Sequence, residues 1–188
     1  MSRNEASAAA FTLRQPGPND AQELAALHVQ TWQETYDNLL PAGFFTSEFS
    51  DSRLRLWQHL VSATEGRVVR LAEVVSTEGN TDPMGEGHLQ KIVGFAVAGP
   101  DTDSGDSKDN RQLFSLYVLR RFHGTGVGQA LFDEVLGKDP AVLWVARDNP
   151  RAVAFYRRNG FEFDATERSD PAAPGLVECR MLRPSMLR

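Results

Sequence analysis

The segment from Leu113 to Leu131, LFSLYVLRRFHGTGVGQAL, constrains the fold more than any other. An apolar run fit for a buried strand enters a turn with glycine at every second position, and an amphipathic helix opens directly from that turn. This arrangement makes an anion site out of backbone. The first amides of a helix lack intrahelical partners, and the aligned peptide dipoles add roughly half a positive charge, so a phosphate or pyrophosphate is the natural ligand. Gly124, Gly126 and Gly128 place no Cβ in the path of close approach.

The rest of the chain supplies a context for that block. Residues 1–10 read as a loose tail, and order is expected from Phe11, where a first strand precedes a Gln-Pro-Gly-Pro turn. Asn19 or Asp20 can cap a helix carrying Leu24, Leu27, His28, Thr31, Trp32, Thr35 and Tyr36 at helical spacing, and a second helix is predicted from about Asp51 with Leu54, Trp57, Leu60 and Val61 on one face. Val68 to Val75 and Ile92 to Ala98 read as an antiparallel hairpin with a long tip. A polar segment with four aspartates, Gly99 to Asn110, reads as a solvated loop before the strand Leu113 to Val118. After the glycine-started helix, Ala141 to Val145 reads as a strand and Pro150 suits a first helical position after Asn149. Arg151 to Asn159 fits a helix stopped by Gly160, and strands at Phe161 to Thr166 and Leu176 to Leu182 close the chain. The expected class is α/β (α+β): a mixed, mostly antiparallel twisted sheet of about seven strands with about four helices, as one domain over 11–188.

Composition narrows the function. The net charge of −5 argues against a nucleic-acid backbone as partner, which calls for a basic face or stripe. One cysteine, Cys179, excludes an internal disulfide framework, and with no leader or long apolar run in this sequence the cytoplasm is the expected compartment and a membrane is not an expected partner. His28, His59, His88 and His123 form no zinc motif, so no metal is expected.

Asp148, about twenty residues after Gly128, invites comparison with the dinucleotide-binding fingerprint. The third small residue fails: the position is Gln129 or Leu131, according to which glycine pair comes first. A second block decides the comparison. Asn149-Pro150-Arg151-Ala152-Val153-Ala154-Phe155-Tyr156-Arg157-Arg158-Asn159-Gly160-Phe161 follows N-x-x-A-x-x-F-Y-x-x-x-G-F, and His123-Gly124-Thr125-Gly126-Val127-Gly128 follows Q/R-x-x-G-x-G/A with His123 in the Gln or Arg position. Together, from Leu113 through Phe161 and more faintly back to Phe11, the chain resembles the GNAT N-acetyltransferase superfamily.

That resemblance implies acetyl-coenzyme A as co-substrate and a primary amine of a small molecule or peptide as acceptor. Direct attack in a ternary complex is the implied mechanism. It places His123, Gly124, Gly126, Val127 and Gly128 at the pyrophosphate, Tyr117 and Val118 beside the cofactor on the preceding strand, and Asn149, Ala152 and Phe155 along the pantetheine arm. A backbone N–H near Val118 is the implied oxyanion donor and Tyr156 the acid for the thiolate, a transfer nearly balanced for a phenol of pKa about 10. Many relatives carry Glu about where Gln112 stands, and glutamine accepts no proton at neutral pH. Glu34, Glu178, an aspartate of the 101–109 loop or a water chain remain candidates for the base. Two rivals stay open: an acyl-coenzyme A-binding sensor or partner module without turnover, and a nicotinamide-dependent reductase resting on Asp148 and the glycines. A homodimer is compatible with the sequence.

Overall fold

The computed structural model describes residues 10–62, 66–75, 91–101, 111–169 and 173–185. Seven strands, β1 (Phe11–Arg14), β2 (Val68–Val74), β3 (Ile92–Pro100), β4 (Arg111–Val118), β5 (Ala141–Ala146), β6 (Glu162–Ser169) and β7 (Val177–Arg183), form one sheet in the order β1-β2-β3-β4-β5-β7-β6. Only β4 and β5 run parallel; every other pairing is antiparallel. Helices α1 (Ala21–Tyr36), α2 (Ser47–Ser62), α3 (Val127–Val135) and α4 (Pro150–Arg158) complete the expected mixed architecture. The doubly wound parallel sheet of a dinucleotide-binding fold is a different arrangement. The proposed tail (bar Ala10), the hairpin tip 76–90 and the aspartates at 102–109 lie outside the described residues.

Several boundaries differ from expectation for identifiable reasons. Helix α2 starts at Ser47, a turn before Asp51, because the Thr46 hydroxyl accepts the Phe49 N–H at 3.2 Å and caps that extra turn. Asp20 does stand at the N-cap of α1, but its carboxylate turns back to the Gly17 N–H at 2.7 Å and to the Arg14 guanidinium at 2.7 Å and 2.8 Å. Strand β4 starts at Arg111, and β6 runs on to Ser169. In α4, Pro150 takes the first turn and the Asn149 side-chain oxygen accepts the Ala152 N–H at 3.1 Å.

The core fills both faces of the sheet. Trp57, Leu24 and Leu27 of α1 and α2 meet Phe95 of β3, while Leu131, Phe132 and Val135 of α3 pack with Leu143 and Met181, all essentially inaccessible to water. Burial of each such side chain stabilises the fold by about 1.5–3 kcal/mol. Gly94 sets the distance between α3 and the sheet: a Cβ there would stand 2.9 Å from the Tyr117 carbonyl and 3.2 Å from Leu131 Cδ1. Alanine at that position would lever α3 and the end of β4 apart.

One irregularity positions the site. Along β3 and β4 the register shifts, Val97 facing Ser115 while Ala98 faces Leu113, so Phe114 is an extra residue in β4. Such a bulge bends its strand and increases its twist. On the other side of β4, the parallel ladder to β5 ends at Leu113 and Leu143 although both strands continue. The two therefore diverge from Phe114 onward, and a cleft opens between them.

Candidate active site

The cleft holds about 670 Å³. Its walls are the free half of β4, the end of β5, the N-terminal ends of α3 and α4, and the last turn of α1. Of the residues singled out from sequence, Tyr117, Val118, His123, Gly124, Gly126, Gly128, Asn149, Ala152, Phe155 and Tyr156 all line it. Val127 does not, because its side chain is buried in the core at 1% exposure.

The glycine turn has the geometry its spacing suggests. Gly124 and Gly126 adopt φ of +81° and +93°, the left-handed region, and no atom lies within 4 Å of where their Cβ would stand. Gly128 has no such need, and a Cβ there would touch Val118 Cγ2 at an ordinary 3.8 Å. The first helical bond joins the Ala130 N–H to the Gly126 carbonyl at 3.0 Å, so the amides of Val127, Gly128 and Gln129 precede the α3 ladder and face outward from its N-terminus.

His123 braces this turn. One ring nitrogen, Nε2, lies 2.8 Å from the Val118 carbonyl, as a donor to it, which leaves Nδ1 unprotonated and without a partner among the described residues. Burial holds the ring below its ordinary pKa, and the nearby charge of Arg151 adds to that effect. The Leu119 N–H is directed to β3, donating to the Val93 carbonyl at 2.9 Å, so alternation along the strand aims the Val118 N–H into the cleft. With its carbonyl taken by His123, Val118 presents a donor there.

Charge is divided along the walls. Arg120, Arg151 and Arg158 line the cleft near the glycine turn, and burial and the like charge of Arg158 hold Arg151 below its ordinary pKa. Arg121 and Arg157 point elsewhere, over the rings of Phe122 and Phe163. Sequence alone could not sort these five arginines, since each is a charged residue on a loop or helix surface. Glu34, Asp148 and Glu178 also line the cleft. Glu34 accepts the Arg120 N–H at 2.7 Å and Glu178 accepts from Arg168 at 2.7 Å.

At the deeper end Tyr36 of α1, placed by sequence only at helical spacing along that helix, joins Tyr117 and Tyr156. The Tyr117 hydroxyl and the Asn149 side chain lie near the Tyr36 phenol, whose pKa burial raises. Tyr156 is buried and its phenol is pushed well above its ordinary pKa, first by desolvation and then by Tyr36. Trp32 stays in an aromatic cluster with Phe44 and Phe49, while His28 and Cys179 are buried packing residues.

The family model of the acetyltransferase (GNAT) family matches residues 31–161, from the last turns of α1 through α4, which include every residue lining this cleft except Glu178. The chain belongs to the GNAT family. An uncharacterised N-acetyltransferase of Bacillus subtilis, YuaI, is 25% identical over 177 residues, covering 89% of each protein. A Mycobacterium tuberculosis protein described in the same terms is 36% identical over 85 residues, 42% of this chain and 51% of its own length. Among solved GNAT structures, the PaiA N-acetyltransferase of Thermoplasma acidophilum in complex with coenzyme A superposes with a TM-score of 0.62 at 16% identity, over 91% of this chain and 98% of that one. Seven strands and four helices are thus this family's fold. No helix among the described residues is long and apolar enough to cross a membrane, and no group of three or more potential metal ligands occurs among them.

Proposed function

We propose that this chain is a cytoplasmic acetyl-coenzyme A-dependent N-acetyltransferase, with 11–188 as one catalytic domain, acting on a primary amine of a small molecule or peptide. The observation that carries the reading is the split between β4 and β5, where the outward amides of α3 and the Asn149–Tyr156 helix face one cleft. The residues present fit the co-substrate. The open space above Gly124 and Gly126, the α3 amides and the cations Arg120, Arg151 and Arg158 suit a pyrophosphate; the unpaired half of β4, with Ala152 and Phe155 opposite, suits an extended amide-bearing arm.

Acetyl-coenzyme A supplies a thioester whose acetyl group an uncharged amine attacks directly in the ternary complex. The Val118 N–H stabilises the negative charge that develops on the carbonyl oxygen, the Tyr156 hydroxyl gives its proton to the sulfur as the C–S bond breaks, and the amine's surplus proton leaves to solvent, from which the Tyr156 phenolate regains its own. Titration calorimetry with acetyl-coenzyme A tests the reading. Saturable binding, followed by thiol release with members of an amine panel, supports it; absence of binding withdraws it.

One observation favours a second reading, a binding module without turnover. Gln112 is 5% exposed, its Oε1 has no hydrogen-bond partner among the described residues, and it offers no base where relatives often carry one. That reading requires acetyl-coenzyme A binding with no thiol release for any amine.

A further inference from the structure

Among the described residues three carboxylates line the cleft, and their oxygens are committed differently. Both oxygens of Glu34 are taken, one by the Arg120 N–H at 2.7 Å and the other by the Gln30 side-chain amide at 3.1 Å. Asp148 is exposed, beyond the end of β5. Glu178 combines shelter with availability. Its side chain is 19% exposed, Arg168 donates to Oε2 at 2.7 Å, and Oε1 has no hydrogen-bond partner among the described residues.

The strand register fixes which side of the sheet this carboxylate serves. Between β5 and β7, Leu143 faces Met181 and Ala146 faces Glu178, so alternation puts the two pairs on opposite faces. Leu143 and Met181 lie in the core with α3, whose N-terminus suits the pyrophosphate, whereas Ala146 packs with Tyr36 of α1. Glu178 therefore stands on the α1 side. Burial raises the Tyr36 and Tyr117 phenols there, and the charge of Glu178 adds to the effect on both. Trp144, paired with Arg180, shares that face and lines the cleft, and the Arg168 guanidinium lies 4.1 Å from its ring centre. One arginine thus fixes both the carboxylate and the indole. Arg168 and Glu178 are register partners of β6 and β7, so a cross-strand ion pair accounts for Oε2 and leaves Oε1 unexplained.

Resting on the acetyltransferase reading above, we propose that Glu178 anchors the acceptor, its Oε1 receiving an N–H of the incoming amine and favouring amines that are cations in solution. The carboxylate draws the ammonium in. Once that ion has lost a proton to solvent, the uncharged amine keeps one N–H on Oε1 while its lone pair turns to the thioester. Glu178 binds and orients, and takes no proton. Trp144 offers its ring to the carbon chain of the acceptor.

The test uses the full chain and Glu178→Gln, which keeps the shape of the side chain and an acceptor for Arg168 but loses the charge. Thermal unfolding confirms that the variant is folded. Thiol release is followed with a panel of primary alkylamines that includes cyclohexylamine, with aniline as an amine of the same ring size that is uncharged at neutral pH, and with water alone. In the variant, KM for the alkylamines is expected to rise by about 10–100-fold, the loss of one charge-assisted bond, with kcat within about threefold. Acetyl-coenzyme A affinity by calorimetry and thiol release to water should stay within about threefold, and any preference for cyclohexylamine over aniline should shrink as KM rises. Independently of the variant, KM of the wild type for alkylamines should rise about threefold or more between about 50 mM and 500 mM salt.

An unchanged KM in Glu178→Gln, or in the wild type across that salt range, overturns the anchor while leaving the acetyltransferase reading intact. A fall in kcat with KM unchanged overturns it too, since that marks Glu178 as a base. A wild type that binds acetyl-coenzyme A but releases thiol to no amine overturns the anchor in favour of the binding module. A wild type that does not bind it overturns both.

Discussion

The Glu34 carboxylate accepts the backbone N–H of Arg120 at 2.7 Å, and the Arg120 guanidinium donates in return to the Glu34 carbonyl. This reciprocal pair ties the last turn of α1 to the turn that begins the glycine loop, across 86 residues of sequence. It makes Glu34 a brace for the loop and removes it as a free base. Glu34→Gln keeps an acceptor oxygen and is expected to leave turnover and its pH profile within about threefold of wild type. Glu34→Ala loses a charge-assisted bond and is expected to weaken acetyl-coenzyme A binding by about tenfold. Calorimetry on the two variants checks the pair, and a loss of kcat in Glu34→Gln would restore Glu34 as the base.

Tyr156→Phe is expected to lower kcat by about 100-fold or more with acetyl-coenzyme A affinity nearly unchanged, since the hydroxyl is needed only as the sulfur departs. Steady-state kinetics with any accepted amine, paired with a binding titration, separates the two quantities. A variant with full kcat removes Tyr156 as the acid.

The two ends of the glycine turn should respond differently to the same methyl group. Gly126→Ala forces alanine into a left-handed φ and is expected to destabilise the fold by about 1–2 kcal/mol in urea unfolding. Gly128→Ala meets only an ordinary contact with Val118 and gains helix propensity of up to about 1 kcal/mol, so stability should hold or rise. Its methyl group stands at the lining of the cleft, and acetyl-coenzyme A affinity should drop. Equal stability losses in the two variants would contradict this division.

His28 makes the fold sensitive to acid. Burial, with a smaller contribution from the Arg53 charge, pushes its pKa down to about 3, amid the rings of Trp32, Trp57, Phe95 and Tyr117. Below about pH 6.5 the unfolded chain binds a proton that the folded chain refuses until about pH 3, so stability falls as pH drops through that window, by up to roughly 1.4 kcal/mol per unit. Above pH 6.5 this group has no effect. Urea midpoints measured at pH 7 and pH 5 should differ more in the wild type than in His28→Leu, which has no proton to bind; identical slopes would show that other groups set the acid limit.

Local patterns determined much of this protein. A helix opening from alternating glycines, Pro150 after a capping Asn149 and the apolar strand between them are settled by neighbours in the chain, so they are readable as sequence, and with them the family and the glycine-turn end of the cleft. Tertiary structure decided the remainder. The bulge at Phe114 exists only as a mismatch between two strands, and it separates β4 from β5 to make the cleft. Glu34 finds Arg120, and Tyr36 finds Tyr117 and Asn149, because α1 crosses the sheet beside β4; no spacing within α1 announces those partners. Hydrogen bonds between distant segments depend on where whole elements pack, and burial then sets the acidity of every phenol in the site.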